Sequence, residues 1–501
     1  MIREQYAQPG SHGARLFLIL KGIGLALVAL LLIPILLLTT NLPGNTSLLL
    51  PIVVIVGLIG AASVLRRPHW GVFALIAALV IDVDPIGIPF LSPPYVLSML
   101  LLVPLVLKIM HEREIWVLRV PQIQIILVIA LLFLSSIAWN SFVRPVPITL
   151  TSHSADKIGT TRQLIIFTSR LALLIFFLYF ITTRERIEQV IWLIVGLVVF
   201  IAMEALFPFL FHGMVKRAHA DFSLAENANR LAYICLFATC ILWFHLPYQR
   251  NQKWRYVTIP LLFLLPLTTL TTGSRSGFLQ SVLLGAFILR EQKGWSIAHR
   301  IRSLVFLAGA ALLVLTFTPT KTLQRLVSFN PDQAEPGQDS LRNRIHTDIA
   351  AIQIGADHPI FGVGLSNFVW MKAFYGLSRG APTHNSYLWA LTSGGIGAVA
   401  LYLLLFYVTY TMIRRLERAG PSEWLWLSKA LRINVILFLF FSAFADMWLS
   451  DFMYLLLGLI TSMYYLWQRQ RQHLSHIRFA PKRQRHRVSL DLPTPVAATR
   501  L

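Results

Sequence analysis

Residues 122–140 read QIQIILVIALLFLSSIAWN, a stretch without one charged side chain. Its length matches the roughly 20 apolar residues an α-helix needs to cross a bilayer. From Ile125 to Leu134 the apolar positions are continuous, whereas a barrel strand would alternate in polarity. Runs of the same kind recur at 16–39, 47–65, 70–83, 95–110, 163–182, 188–211, 230–248, 256–272, 276–290, 303–319, 385–411, 430–447 and 450–467. The pattern predicts an all-α, polytopic integral membrane protein with about fourteen transmembrane helices. Composition agrees: 56% of the 501 residues are hydrophobic and 13% are charged, against roughly 25% charged in soluble domains.

Four regions follow. Residues 1–319 hold the first eleven spans, 320–384 a large loop, 385–467 the last three spans, and 468–501 a basic tail. The first apolar run is too long for a signal peptide and has no small-residue cleavage site behind it, so it is expected to remain as a span. Lysines and arginines fall in alternate loops: Arg66 and Arg67, then Lys108, Arg113 and Arg119, then Arg184 and Arg186, then Arg250, Lys253 and Arg255. The same alternation continues through Arg290 to Arg302 and through Arg414, Arg415 and Arg418. The positive-inside rule then places both termini in the cytoplasm. The net charge of +22 is explained by basic loops and tail facing anionic lipid, so no nucleic-acid partner is expected, even for Pro481–Arg487.

The remaining loops face outward, and 320–384 is far too long for a simple connector. Within it, Leu341, Ile345, Ile349, Ile352 and Ala356 recur at helical spacing. They predict an amphipathic helix with Arg344 and Asp348 on other faces, broken at His358-Pro359 and Gly362-Val363-Gly364. A second short helix is expected around 367–375, the two lying at the outer membrane interface as a cover. Arg275 sits at a tight outer turn, Arg230 and Arg162 begin spans from that side, and His384 immediately precedes another. Arg170 and Glu204 lie deeper in adjacent spans, where an ionised group needs a partner or water. They either pair with each other or line a hydrated cavity. Lys21 is expected to snorkel to the interface. Cys235 and Cys240 share no helix face and are read as packing residues. No metal-ligand spacing or disulfide framework occurs.

The string Thr-Thr-Gly-Ser-Arg-Ser-Gly at 271–277 resembles the arginine motif of the bacterial O-antigen ligase and polymerase superfamily. So do Arg344, the block Asp357-His358-Pro359-Ile360-Phe361-Gly362-Val363-Gly364-Leu365-Ser366-Asn367-Phe368, the string His384-Asn385-Ser386-Tyr387-Leu388 and Gly394-Gly395-Ile396-Gly397. The resemblance covers about 260–410. It implies a membrane glycosyltransferase that takes a glycan from undecaprenyl diphosphate at the periplasmic face of the bacterial inner membrane. The acceptor would be lipid A–core, a growing polysaccharide or, in one branch, a protein. No metal or other cofactor is implied, and polysaccharide-assembly proteins are expected neighbours. Ligases of the family commonly have about twelve spans, and about fourteen are counted here, so ligase and polymerase both stay open.

The leaving lipid diphosphate gains negative charge as the glycosidic bond breaks. Arginine suits it, because a guanidinium stays protonated and grips phosphate oxygens with two parallel N–H groups. Arg275 is the first choice, Arg230 the second, with Arg344 and Arg170 as further diphosphate-binding candidates. Histidine can take a proton from the acceptor hydroxyl, which makes His384 and Arg275 the catalytic candidates. Direct displacement would invert the anomeric carbon. A transporter or lipid-linked glycan flippase, with Arg170, Glu204 and Asp446 as relay charges, is the competing class; a non-catalytic scaffold is a third. The polar residues gather at one surface rather than at mid-membrane, which favours the transferase.

Overall fold

The computed structural model describes residues 59–81, 93–113, 115–143, 160–211, 227–249, 251–291, 341–377 and 382–479, with scattered positions between 297 and 316. The expected spans at 16–39, 47–65 and 303–319 and the tail beyond 479 lie wholly or largely outside them. Among the described residues 88% are helical and none is in a strand. The helices are α1 (Pro68–Ile81), α2 (Pro93–Glu112), α3 (Pro121–Ala138), α4 (Thr160–Phe180), α5 (Arg184–Phe211), α6 (Ala228–His245), α7 (Gln252–Thr271), α8 (Arg275–Glu291), α9 (Leu341–Asp357), α10 (Ser386–Ala419), α11 (Leu425–Ser442) and α12 (Asp451–Phe479). Eight helices among the described residues are long and apolar enough to cross a membrane.

Helix α6 lies at the centre. Every residue from Leu231 to Phe244 is buried, the signature of a helix apolar on all sides. It packs against α5, α7, α8 and α11. Aromatic rings lock the far side: Tyr233 stacks on Phe441 at 5.0 Å and meets Phe452 edge-on at 5.3 Å. Helices α3, α9, α11 and α12 surround α10, and α4 lies along α12.

Helix α10 is broken at Gly394 and Gly395. The break is filled by the segment after α9. Val363 N–H donates to Thr392 O at 2.7 Å, and Ile396 N–H donates to Pro359 O at 2.8 Å. Ser136 on α3 adds a hydrogen bond to Ser393 O at 3.1 Å. The backbone groups freed by the kink are thus paired within the protein, as a helix in lipid requires. Gly395 has φ +72°, and a Cβ there would lie 2.4 Å from both Pro359 O and Ile360 O. Only glycine fits.

In α9 the apolar stripe lies on a face away from Arg344 and Asp348, as its spacing predicts: Ile345, Ile349 and Ile352 are exposed, while Ala350, Ala351 and Ile354 are buried. Gly355 lies against Leu391 of α10. Small residues allow the close helix approach, and large apolar ones turn out toward where lipid would lie. Arg344 and Asp348 share the inward side with Ala351 and Gly355. One expectation is corrected, in the last two spans: α11 ends at Ser442 and α12 begins at Asp451, so Asp446 lies in a connecting turn rather than in the span expected at 430–447.

Candidate functional site

The turn between α7 and α8 is built by short polar side chains. Ser274 caps α8: its Oγ accepts from Gly277 N–H at 3.1 Å, satisfying one of the open N–H groups at a helix start. Thr272 Oγ1 accepts from Ser274 N–H at 3.2 Å. Gly277 serves another purpose, since a Cβ there would sit 2.6 Å from the Ala232 Cβ, so α8 and α6 touch closely at this level. Arg275 is the first residue of α8. The motif therefore places Arg275 against the start of α6.

A hydrogen bond fixes that meeting. Ser274 Oγ donates to Asn229 Oδ1 at 2.6 Å. Asn227 caps α6 by accepting from Asn229 N–H at 2.8 Å. Arg230 follows, and its guanidinium donates to Asp446 O at 3.3 Å. Asp446 is half-buried in the α11–α12 turn, and desolvation raises its carboxyl above the ordinary range, opposed by the Arg230 charge and the Trp448 backbone N–H.

The same turn holds the start of α10. Ser386 Oγ donates to Ala445 O at 2.8 Å and accepts from Met447 N–H at 2.8 Å. Asn385 caps the helix, accepting from Tyr387 and Leu388 N–H at 3.0 and 3.3 Å. Thr383 Oγ1 donates to Asn385 O at 2.9 Å. Between these two fixed residues, His384 takes φ +52°. Left-handed backbone is costly for most side chains and tolerated better by histidine; it persists where neighbours hold it.

Beside the turn lies a cavity of about 200 Å³, lined by Gln163, Arg170, Arg230, Asp446, Ser450 and Asp451 among others. Arg170 Nε meets Asp451 at 2.8 Å, with their side chains 18% and 8% exposed. The carboxylate at ion-pair distance from Arg170 is thus Asp451, and Glu204 does not line this cavity. Arg170 is roughly ten residues into α4, about 15 Å along its axis, so the start of α12 is recessed from the start of α4.

Of the residues singled out from sequence, Arg170 and Arg230 line one cavity. Arg275 and His384 sit on segments tied by hydrogen bonds to that lining, through Ser274–Asn229 and through Ser386–Met447. Arg344 is not among the residues lining that cavity and lies on the inward side of α9. Sequence reasoning missed Asn229, Ser274, Ser386 and Asp451 as framework. The motif strings contained Ser274 and Ser386, but their partners are far along the chain. Asp451 carried one readable signal, a lone carboxylate opening an apolar span.

No curated protein matches this chain. Residues 260–403 match the family model described as O-antigen ligase. They take in the α7–α8 turn, the kink and the His384 segment, so over these residues the chain is similar to the O-antigen ligase family.

Proposed function

We propose that this protein is a glycosyltransferase of the O-antigen ligase or polymerase type, working at the periplasmic face of the inner membrane. It takes a glycan from undecaprenyl diphosphate and hands it to an acceptor hydroxyl on lipid A–core or on a growing polysaccharide. The observation that carries this reading is the run of hydrogen bonds linking Ser274, Asn229, Asp446 through Arg230, Met447 and Ser386. It gathers the segments bearing Arg275, Arg230 and His384 beside a cavity that also holds Arg170.

Arg275 and Arg230 take the diphosphate in this reading, and their fixed positive charge stabilises the leaving group as the glycosidic bond breaks. Arg170 is already committed to Asp451, so it shapes the cavity wall more than it holds phosphate. His384 accepts the proton of the attacking hydroxyl, and attack from the face opposite the leaving group inverts the anomeric carbon. The charge balance is supplied by arginine, with no metal ion or cofactor in the scheme. Kinking of α10 does not favour transport, because the freed backbone groups bond to 359–363 instead of lining a path.

The test compares surface glycan from cells lacking the gene with cells carrying wild type, Arg275→Ala or His384→Ala, at matched membrane levels. Loss of the ladder in both variants supports transfer. A single repeat left on lipid A–core marks a polymerase, whereas bare core with glycan retained on the carrier lipid marks a ligase. A normal ladder from both variants rejects the catalytic assignment.

A further inference from the structure

At the end of α10 and α12 opposite the cavity, the two helices enclose a groove of about 660 Å³. Arg415, Arg418 and Ala419 come from α10; Tyr464, Trp467 and Arg471, with two glutamines, come from α12. The spacing on each helix is three or four residues, so each set lies on one face. Tyr464 and Trp467 are buried and form an aromatic base.

What distinguishes this groove is the company its arginines keep. Nearby, Arg432 is 4% exposed and is neutralised by Glu291 at 2.5 Å and Glu417 at 2.8 Å. Arg414 also reaches Glu417, at 3.0 Å. These carboxylates tie α8, α10 and α11 together and are used up. The groove arginines are oriented by neutral partners instead: Arg415 donates to Tyr464 Oη at 3.3 Å, and Arg471 lies 5.8 Å over the Trp467 ring. Among the described residues no carboxylate lines the groove. Three positive charges therefore converge at a helix end, two of them pre-oriented.

We infer that this groove binds the headgroup phosphate of an anionic phospholipid. Guanidinium groups match phosphate oxygens with paired N–H donors. A basic pocket between the ends of membrane helices lies at headgroup depth, and Trp467 and Tyr464 suit the boundary between glycerol and acyl chain. The apolar base argues for a lipid over free phosphate, and the local charge argues for an anionic lipid over a zwitterionic one. This site stands independently of the transferase reading.

The test uses the full chain purified in neutral detergent, with native mass spectrometry of bound lipid. Phosphatidylglycerol and phosphatidylcholine of identical acyl chains are added in parallel. Wild type should retain phosphatidylglycerol about tenfold more than phosphatidylcholine, and millimolar inorganic phosphate should not displace it. The triple substitution Arg415→Gln, Arg418→Gln, Arg471→Gln should bring the two lipids level. Removing two exposed charges elsewhere, with Lys253→Gln and Arg255→Gln, should leave retention as in wild type. A triple variant that keeps its preference while melting like wild type overturns the assignment. So does displacement by inorganic phosphate, which would make the groove a free-phosphate site, or equal loss in the Lys253/Arg255 variant, which would make the effect one of net charge. A groove variant that melts early is replaced by the single Arg418→Gln, an exposed side chain on the groove wall; unchanged retention there also counts against the site.

Discussion

Ser274 and Asn229, forty-five residues apart in sequence, share a 2.6 Å hydrogen bond that joins the start of α8 to the start of α6. Each precedes an arginine of the candidate site, so one bond sets the relation of Arg275 to Arg230. Replacing Asn229 by Ala or Ser274 by Ala should reduce glycan output about tenfold, if misplacing one phosphate-gripping group costs near 1.4 kcal/mol in transfer. The double variant should be little worse than the stronger single one, the mark of a shared contact. Ser274→Ala should also lose about 1 kcal/mol of stability through the lost cap, and Ser274→Thr should restore it. Fully additive losses in a quantified ladder assay would separate the two residues.

The Arg170–Asp451 pair makes a different demand. Removing one member of a buried ion pair leaves the other charged and unsatisfied, at a cost of about 3–5 kcal/mol. Asp451→Ala should therefore lower the thermal midpoint strongly. Pairing it with Arg170→Met should recover much of the loss, because an apolar pair of similar volume needs no compensation. Activity should not return with stability if the cavity must stay polar. Thermal unfolding in detergent alongside the ladder assay reads both; a double variant as unstable as Asp451→Ala would show that the pair is not what holds α12 to α4.

How much of this was legible in the chain follows from the range of the interactions. The helices around 122–140 and 230–248 are written locally, as apolar runs, and lie where expected. The roles of Gly277 and Gly395 were not readable, because what each makes room for, Ala232 and the carbonyl of Pro359, is distant in sequence. The apolar stripe of α9 was legible, but which side of the helix packs inward was not, for a physical reason. A soluble core would take Ile345, Ile349 and Ile352 inward, but next to lipid the small residues Ala351 and Gly355 pack and the large ones turn out. Arg170 drew attention by its depth, but Glu204 was the one partner weighed for it, and Asp451 came into view only with α4 and α12 side by side.

His384 allows backbone and side chain to be tested apart. Its φ of +52° is held between the Thr383 and Asn385 hydrogen bonds. Asparagine tolerates left-handed backbone, and alanine does so at a cost of about 1 kcal/mol. His384→Asn should then melt within about 0.5 kcal/mol of wild type, His384→Ala about 1 kcal/mol lower. Both should abolish transfer, since neither side chain accepts a proton at neutral pH. Substantial activity in His384→Asn would assign the residue to the turn and take it out of the chemistry.

Asp348 gives a pH dependence with a definite sign. Burial on the inward side of α9 raises its carboxyl to about 6, with Arg344 pulling the other way. In the unfolded chain the group titrates near 3.8. Below that value it is protonated in both states, and its favourable neutral burial is fully present. As pH rises toward 6 the unfolded chain ionises first, so the contribution is progressively lost, and above 6 it is gone. The carboxyl is half-buried, so solvent screening limits the effect to about 1 kcal/mol. Asp348→Asn should remove this slope: it should be close to wild type at pH 4.5 and more stable at pH 7.5. Hydrogen exchange of the α9 amides at the two pH values reads it locally, and identical pH slopes in the two proteins would place the Asp348 carboxyl in water.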